Sequence, residues 1–276
     1  MAANLKAENL TISIPNKGCN KNCPYCVSRM TGYVDADFRK MVRNVKKVIT
    51  TAKSAEITSI LFTGKGEPTY GSSLDMLFTL MDHFKEFPME LQTNGIILNK
   101  EPQVLDLLYL KGLDVVAVSM DSVEDFDNFE PLFKEINRLG MVSRITVNVT
   151  DILKFATVSW YITYCKVNRI NQLTFRNIVK PEIIKDNVTA NWIDDNVNTT
   201  DYKQILFNLN KFIRADGRLI RTLKNGMQIW DVDGIAITTS DYCIQERDDG
   251  DNLRSLVFME DGHLYTGWGS KAAILF

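Results

Sequence analysis

The chain has 276 residues, 45% hydrophobic and 24% charged, enough to bury a core in one large domain or a domain with an extension. A formal net charge of -2 excludes the basic excess expected of a nucleic-acid-binding surface, though not a nucleotide as substrate. The N-terminal MAANLKAENLTISIP lacks a signal-like apolar region and no run is long enough to span a bilayer, so the expected setting is the cytoplasm, with no membrane partner.

Asn9–Ile14 reads as a short strand, followed by a cysteine-bearing loop and a helix over Asp37–Ala52. Glu56–Phe62 is a second strand, ending in the glycine-rich loop TGKGEPTYG. Ser72–Phe84 carries a helical apolar stripe behind a serine start signal. Strand Met89–Gln92 leads through Thr93–Asn94–Gly95 to a helix opened by Pro102, a residue suited to a first turn. Strand Asp114–Ser119, a helix near Pro131–Leu139 closed by Gly140, and strand Arg144–Val149 follow. Leu153–Lys166 reads as a helix and Gln172–Ile178 as a sixth strand.

Alternating strands and helices imply parallel βα units. Six of them make an α/β fold, an incomplete (βα)6 three-quarter TIM barrel, because right-handed crossovers leave few other arrangements. Ligands in such folds sit at the C-terminal ends of the strands, where the unusual loops fall. After Pro181 a polar, Asn-rich stretch leads to an amphipathic helix near Tyr202–Ile213 and two expected hairpins, turning at Asp233–Gly234 and Asp261–Gly262. The expected organisation is a partial-barrel core over residues 1–181 and a β-rich C-terminal extension over 182–276, packed on the barrel.

Five cysteines, three of them within residues 19–26, do not make a disulfide framework in a reducing compartment. Gly18–Cys19–Asn20–Lys21–Asn22–Cys23–Pro24–Tyr25–Cys26 has a CxxxCxxC spacing directly after the first strand. Cysteine thiolates are the normal ligands of iron–sulfur clusters, and three of them leave a fourth iron open. A zinc site with a distant fourth ligand is the alternative, but no second CxxC or HxxxH pair accompanies it.

The segment resembles the radical S-adenosylmethionine superfamily, whose CxxxCxΦC motif has an aromatic where Tyr25 stands. The resemblance covers roughly Asn9–Pro181. It implies a 4Fe–4S cluster ligated by Cys19, Cys23 and Cys26, with Tyr25 against the adenine of S-adenosylmethionine. It also implies that the cluster reduces the bound sulfonium, releasing a deoxyadenosyl radical that abstracts a hydrogen atom.

Thr63–Gly64–Lys65–Gly66–Glu67–Pro68–Thr69 can be a tight turn or a phosphate cradle, but not a Walker loop, since no GK[ST] follows. It is similar to the family's GGE motif, with Lys65 in place of the first glycine and its side chain free. Gly64, Lys65, Gly66 and Glu67 would then meet the cofactor's methionine ammonium, Gly66 by close backbone approach. Asn94 is either a plain Asn-Gly turn or a ligand contact. By resemblance Ser119 or Asp121 touches the cofactor's carboxylate or ribose; otherwise Asp121 or Ser122 caps the next helix.

Arg144, Thr146 and Asn148 share one face of the fifth strand, and Asn148 resembles the family's ribose contact. Arg176, similarly placed on the sixth strand, needs a partner: Glu67, Asp121, or a substrate carboxylate or phosphate. Cys165 reads as buried core, while Cys243 is either core or a hydrogen donor or thiyl site. Cys243 and Arg176 are the weak candidates for catalysis, and with two spare cysteines no auxiliary cluster is expected. His83 reads as structural, His263 as a turn residue within reach of acid–base work, and Tyr265, Trp268 and Trp230 as the core of the extension.

The expected function is radical S-adenosylmethionine chemistry, of synthase, isomerase or mutase type, on a small-molecule or nucleotide-like substrate. An electron donor such as flavodoxin or ferredoxin would serve it. The alternatives are a glycyl-radical activating enzyme, or a non-catalytic iron–sulfur or zinc binding module.

Overall fold

A computed structural model describes residues 5–16, 18–150, 157–181, 184–197, 199–223, 226–240, 252–268 and 273–276. Its first two-thirds alternate as the periodicity predicts. The strands are β1 (Lys6–Ser13), β2 (Ile60–Thr63), β3 (Met89–Thr93), β4 (Val115–Ser119), β5 (Val142–Asn148) and β6 (Gln172–Arg176). Between them run α1 (Val27–Thr31), α2 (Phe38–Ser54), α3 (Ser73–Met81), α4 (Ile96–Lys100), α5 (Pro102–Leu110), α6 (Val123–Asn128), α7 (Glu130–Arg138) and α8 (Val158–Val167).

Each of these strands pairs in parallel with its sequence neighbour, β1 through β6 in order, the topology of an open βα barrel. The register puts Ile12, Phe62, Leu91 and Val116 on one level of one face, and Val147 beside Phe175. All six are buried, because this face meets the helices. The opposite face brings Thr11 beside Leu61, Thr146 beside Thr174, and Asn148 beside Arg176. That face is polar, and it surrounds the barrel interior.

Local chemistry sets the helix starts. Asp37 accepts from the Lys40 amide at the head of α2, and Thr157 accepts from Trp160 at the head of α8. Ser122 and Asp125 form a reciprocal capping box on α6. Ser122, not Asp121, is therefore the cap.

The remainder is α9 (Asn187–Asn196), α10 (Thr200–Asp216), β7 (Arg218–Thr222), β8 (Gln228–Val232), β9 (Ile235–Ser240), β10 (Asn252–Phe258) and β11 (Leu264–Tyr265). The polar stretch after Pro181 is thus partly helical: Asp186 caps α9, and Ala190 and Ile193 are buried on its inner side. Both expected hairpins form, β8–β9 and β10–β11. Asp233 and Gly234 both take positive φ, as a two-residue hairpin turn requires.

The β-rich extension joins the sheet instead of stacking on it. β9 pairs in parallel with β6, and β10 in parallel with β1, giving the order β11-β10-β1-β2-β3-β4-β5-β6-β9-β8-β7. Unpaired N–H and C=O groups on β1 and β6 make both open edges templates for pairing. The expected aromatic core of the extension divides. Trp230 packs on the main core, whereas Tyr265 and Trp268 form a small cluster with Val257 and Met259. Among the described residues no helix is long and apolar enough to cross a membrane.

Candidate active site

The loop after β1 carries Cys19, exposed, and Cys23 and Cys26, half-buried, all three as free thiols. Cys26 is the residue before α1, and its amide donates to the Cys23 carbonyl at 3.2 Å. The Arg29 guanidinium caps the same carbonyl from one turn into the helix.

Several contacts fasten this loop to the neighbouring strand ends. The Asn16 side chain accepts from the Gly18 amide at 2.6 Å and donates to the Glu67 carbonyl at 2.8 Å. The Glu67 amide in turn donates to the Gly18 carbonyl at 3.0 Å. A Cβ on Gly66 would overlap that carbonyl oxygen, so the second strand's loop can seat here only as glycine. Asn94 donates to Asn20 at 2.7 Å and lies 3.6 Å from the Cys19 sulfur.

Glu67 is buried, and its carboxylate accepts from the Thr69 amide and hydroxyl, the Thr93 hydroxyl and the Asn94 amide at 2.6–3.1 Å. Those four donors make it a strap between the loops after β2 and β3. Asp121 accepts from Asn148 at 2.6 Å and pairs with Lys21 at 3.1 Å, and Lys21 also reaches Asp125 at 2.9 Å. Burial opposes the charge of Lys21, but the two carboxylates outweigh it and raise its pKa. Burial and the adjacent Asp121 push the Cys23 thiol up to about 12.

Lys65, expected to be free, is engaged. Its Nζ donates to the Gly32 carbonyl at 2.6 Å and the Thr31 hydroxyl at 3.2 Å, closing the C-terminal end of α1. Burial lowers its pKa. Behind it Glu260, at the end of β10, is buried, accepts from Ser13 at 2.8 Å, and keeps Oε2 without a partner. Burial raises the Glu260 pKa, with the Ser13 hydroxyl, the Lys65 amide and the Lys65 ammonium working against it.

These elements surround a cavity of about 310 Å³ at the C-terminal strand ends, extending into the barrel. Cys23, Tyr25, Cys26, Gly64, Lys65, Asn148 and Arg176 line it. Glu67, Asn94, Ser119 and Asp121 are outside its lining, although all four stand at the same end of the sheet. The Tyr25 ring packs on Trp192 of α9, with centroids 5.4 Å apart. Its hydroxyl is buried beside Asp121 and Asn148 without a hydrogen bond of good geometry, and burial raises its pKa.

Arg176 does not pair with Glu67 or Asp121, because both carboxylates are committed elsewhere. Arg144, on the same inner face, pairs with Glu90 at 2.7 Å and donates to Gln172 at 2.7 Å. Cys165 is fully buried, with its thiol pushed up to about 12 by burial. His83 is exposed in the turn after α3, and His263 faces Lys40 away from the cavity. Cys243 lies outside the described residues.

The spacing of cysteines pointed to the site, but Asn16, Lys21, Thr93, Trp192 and Glu260 carried no linear signal. Only the Asp186 cap and the spacing of Ala190, Ile193 and Val197 foreshadowed the helix that brings Trp192 in. Among the described residues no three His, Cys, Asp or Glu side chains converge on a single metal ion. The three thiols are nonetheless within electrostatic reach of one another, Cys19 and Cys26 each raising the pKa of Cys23.

The model of the Radical SAM superfamily matches residues 13–156, which takes in the cysteine loop and β2 to β5. The chain is 25% identical over 171 residues to GTP 3',8-cyclase of Clostridium acetobutylicum, covering 62% of this chain and 51% of that protein. It therefore spans about half the length of that relative. It is 23% identical over 213 residues to 7-carboxy-7-deazaguanine synthase of the same organism, covering 75% of this chain and 91% of that one. Among solved structures it resembles native anSMEcpe with bound AdoMet and Cp18Cys peptide, with a TM-score of 0.63, 21% identity, and coverage of 96% and 75%.

Proposed function

The chain belongs to the radical SAM superfamily and is an enzyme of it, and from that premise we propose that it cleaves S-adenosylmethionine reductively at a 4Fe–4S cluster. Cys19, Cys23 and Cys26 would hold the cluster, and the substrate is a small or nucleotide-like molecule from which a hydrogen atom is taken. The observation that carries the reading is the placement of the free-thiol loop against a cavity of mixed polar and apolar lining at the strand ends. Of the two relatives described above, one is named for cyclising GTP and the other for making a deazaguanine, which supports the nucleotide-like class.

The donor set fits a cluster. Three thiols at mutual electrostatic range on one loop suit a group with several metal corners, and thiolate is the ligand iron–sulfur clusters take. When bound, the cluster supplies the electron that cleaves the sulfonium and frees the hydrogen-abstracting deoxyadenosyl group.

The chain's own residues shape and seal the site. Asn16 and Gly66 lock the cysteine loop to the second strand, and Lys65 fixes the short helix that follows it. Tyr25, backed by Trp192, forms an aromatic wall of the cavity beside Cys23 and Cys26. Asn148, held by Asp121, presents an amide to the cavity for a hydroxyl-bearing ligand. An electron donor of flavodoxin or ferredoxin type and a cytoplasmic setting complete the reading, since free thiols persist where the medium is reducing.

Anaerobic reconstitution with iron and sulfide tests it. The expected result is about four irons per chain, visible thiolate-to-iron absorbance, and deoxyadenosine release on reduction with S-adenosylmethionine. Stoichiometric zinc with no iron uptake overturns the reading. Cys23→Ala is expected to abolish both cluster and cleavage.

A further inference from the structure

Arg144 and Arg176 stand on the inner face of neighbouring strands, but their surroundings differ. Arg144 is neutralised by Glu90. Arg176, at the outer end of β6 beside Asn148, has a buried Nε with no hydrogen-bond partner and no carboxylate paired with it among the described residues. Of the described acids at this end of the barrel, Glu67 is engaged by four donors, Asp121 by Asn148 and Lys21, and Glu260 faces Ser13 and Lys65. A buried guanidinium N–H left without a partner is unfavourable, and a planar fork of donors lining a cavity matches a carboxylate or phosphate.

The cavity's described lining agrees in sign. It includes Lys65, Arg176 and Arg254, and no aspartate or glutamate. We infer that Arg176 anchors an anionic substrate, taking its carboxylate or phosphate as the counter-charge that the described residues do not supply. The inference rests on the proposed radical reading of the same cavity and adds the charge class of the substrate. The neutral amides of Gln92 and Asn148 on the same wall suit the polar, uncharged remainder of such a molecule.

Titration calorimetry on the anaerobically reconstituted protein tests this, with pyrophosphate and succinate as probes and S-adenosylmethionine titrated separately. The expected result is that one probe binds the unaltered protein, pyrophosphate marking a phosphate anchor and succinate a carboxylate anchor. Affinity for that probe falls tenfold or more in Arg176→Gln and is largely kept in Arg176→Lys, while affinity for S-adenosylmethionine is unchanged in both. Arg39→Gln, on the exposed face of α2, serves as the charge control and leaves probe binding unaltered.

Failure of both probes to bind overturns the inference, as does equal probe affinity in Arg176→Gln. Loss of S-adenosylmethionine affinity with probe binding intact also overturns it, because the anchor then belongs to the cofactor's carboxylate. Iron content and deoxyadenosine release on the same samples separate the two levels. If they are absent, the radical reading fails; if they are present without anion dependence, only the role of Arg176 fails.

Discussion

Asn16 and Glu67, 51 residues apart, are joined by a single side-chain amide: Asn16 donates to the Glu67 carbonyl at 2.8 Å while accepting from the Gly18 amide at 2.6 Å. It donates as well to the Tyr70 carbonyl at 3.2 Å. One side chain thus sets the height of the cysteine loop above β2. Asn16→Ala removes three hydrogen bonds to backbone groups and is expected to cost about 1–3 kcal/mol. Urea unfolding and iron per chain after reconstitution report it, and an unchanged midpoint with full iron would remove Asn16 from this role.

Gly66 tests the same contact from the other side. Its Cβ position is taken by the Gly18 carbonyl oxygen, with the Asn16 side chain and backbone also close. Backbone cannot swing away as a side chain can, so Gly66→Ala is expected to destabilise by about 1–3 kcal/mol or more. A denaturation midpoint within error of the parent protein would show that the loops are less tightly nested than this.

Trp192 supports Tyr25 from a helix outside the βα core. Truncating this half-buried ring in Trp192→Ala is expected to cost about 1–3 kcal/mol through lost apolar burial. It should also open the wall beside Cys23 and Cys26, so that a chelator strips reconstituted iron faster. Unaltered stripping kinetics would mean that Tyr25 holds its place without the helix.

Glu260 provides a pH signature. Burial raises its pKa in the folded chain above the ordinary 4.5, so folding favours the protonated form. Its contribution is fully present below the unfolded value and is lost as pH rises through the folded one. Glu260→Gln, which keeps the shape without the charge, is therefore expected to stabilise the protein at pH 8 relative to the parent and to converge with it near pH 4. Melting curves at the two pH values check this. An equal difference at both would assign the effect to packing.

Much of the core was legible because it is local. The apolar run in Asp114–Ser119, the helix start at Asp37, and the Asx-Gly turns at Asp233 and Asp261 each depend on a few neighbouring residues. The helix carrying Trp192 escaped notice because its outer face is almost wholly polar, which hid the apolar positions Ala190 and Ile193. Nothing near Lys65 in the chain signals that the end of α1 passes within its reach, so its engagement is visible only in the tertiary structure.

By itself the sequence determined the thiol trio, the order of the six βα units, and hence the end of the sheet where the candidate site lies. Tertiary structure alone decided who partners whom. It placed β9 and β10 on the two open edges, committed Glu67 and Asp121 to other donors, and left Arg176 lining the cavity with no carboxylate paired to it among the described residues. Periodicity and capping are short-range preferences, whereas pairing of buried charges and strand edges depends on which distant groups the fold brings within bonding distance.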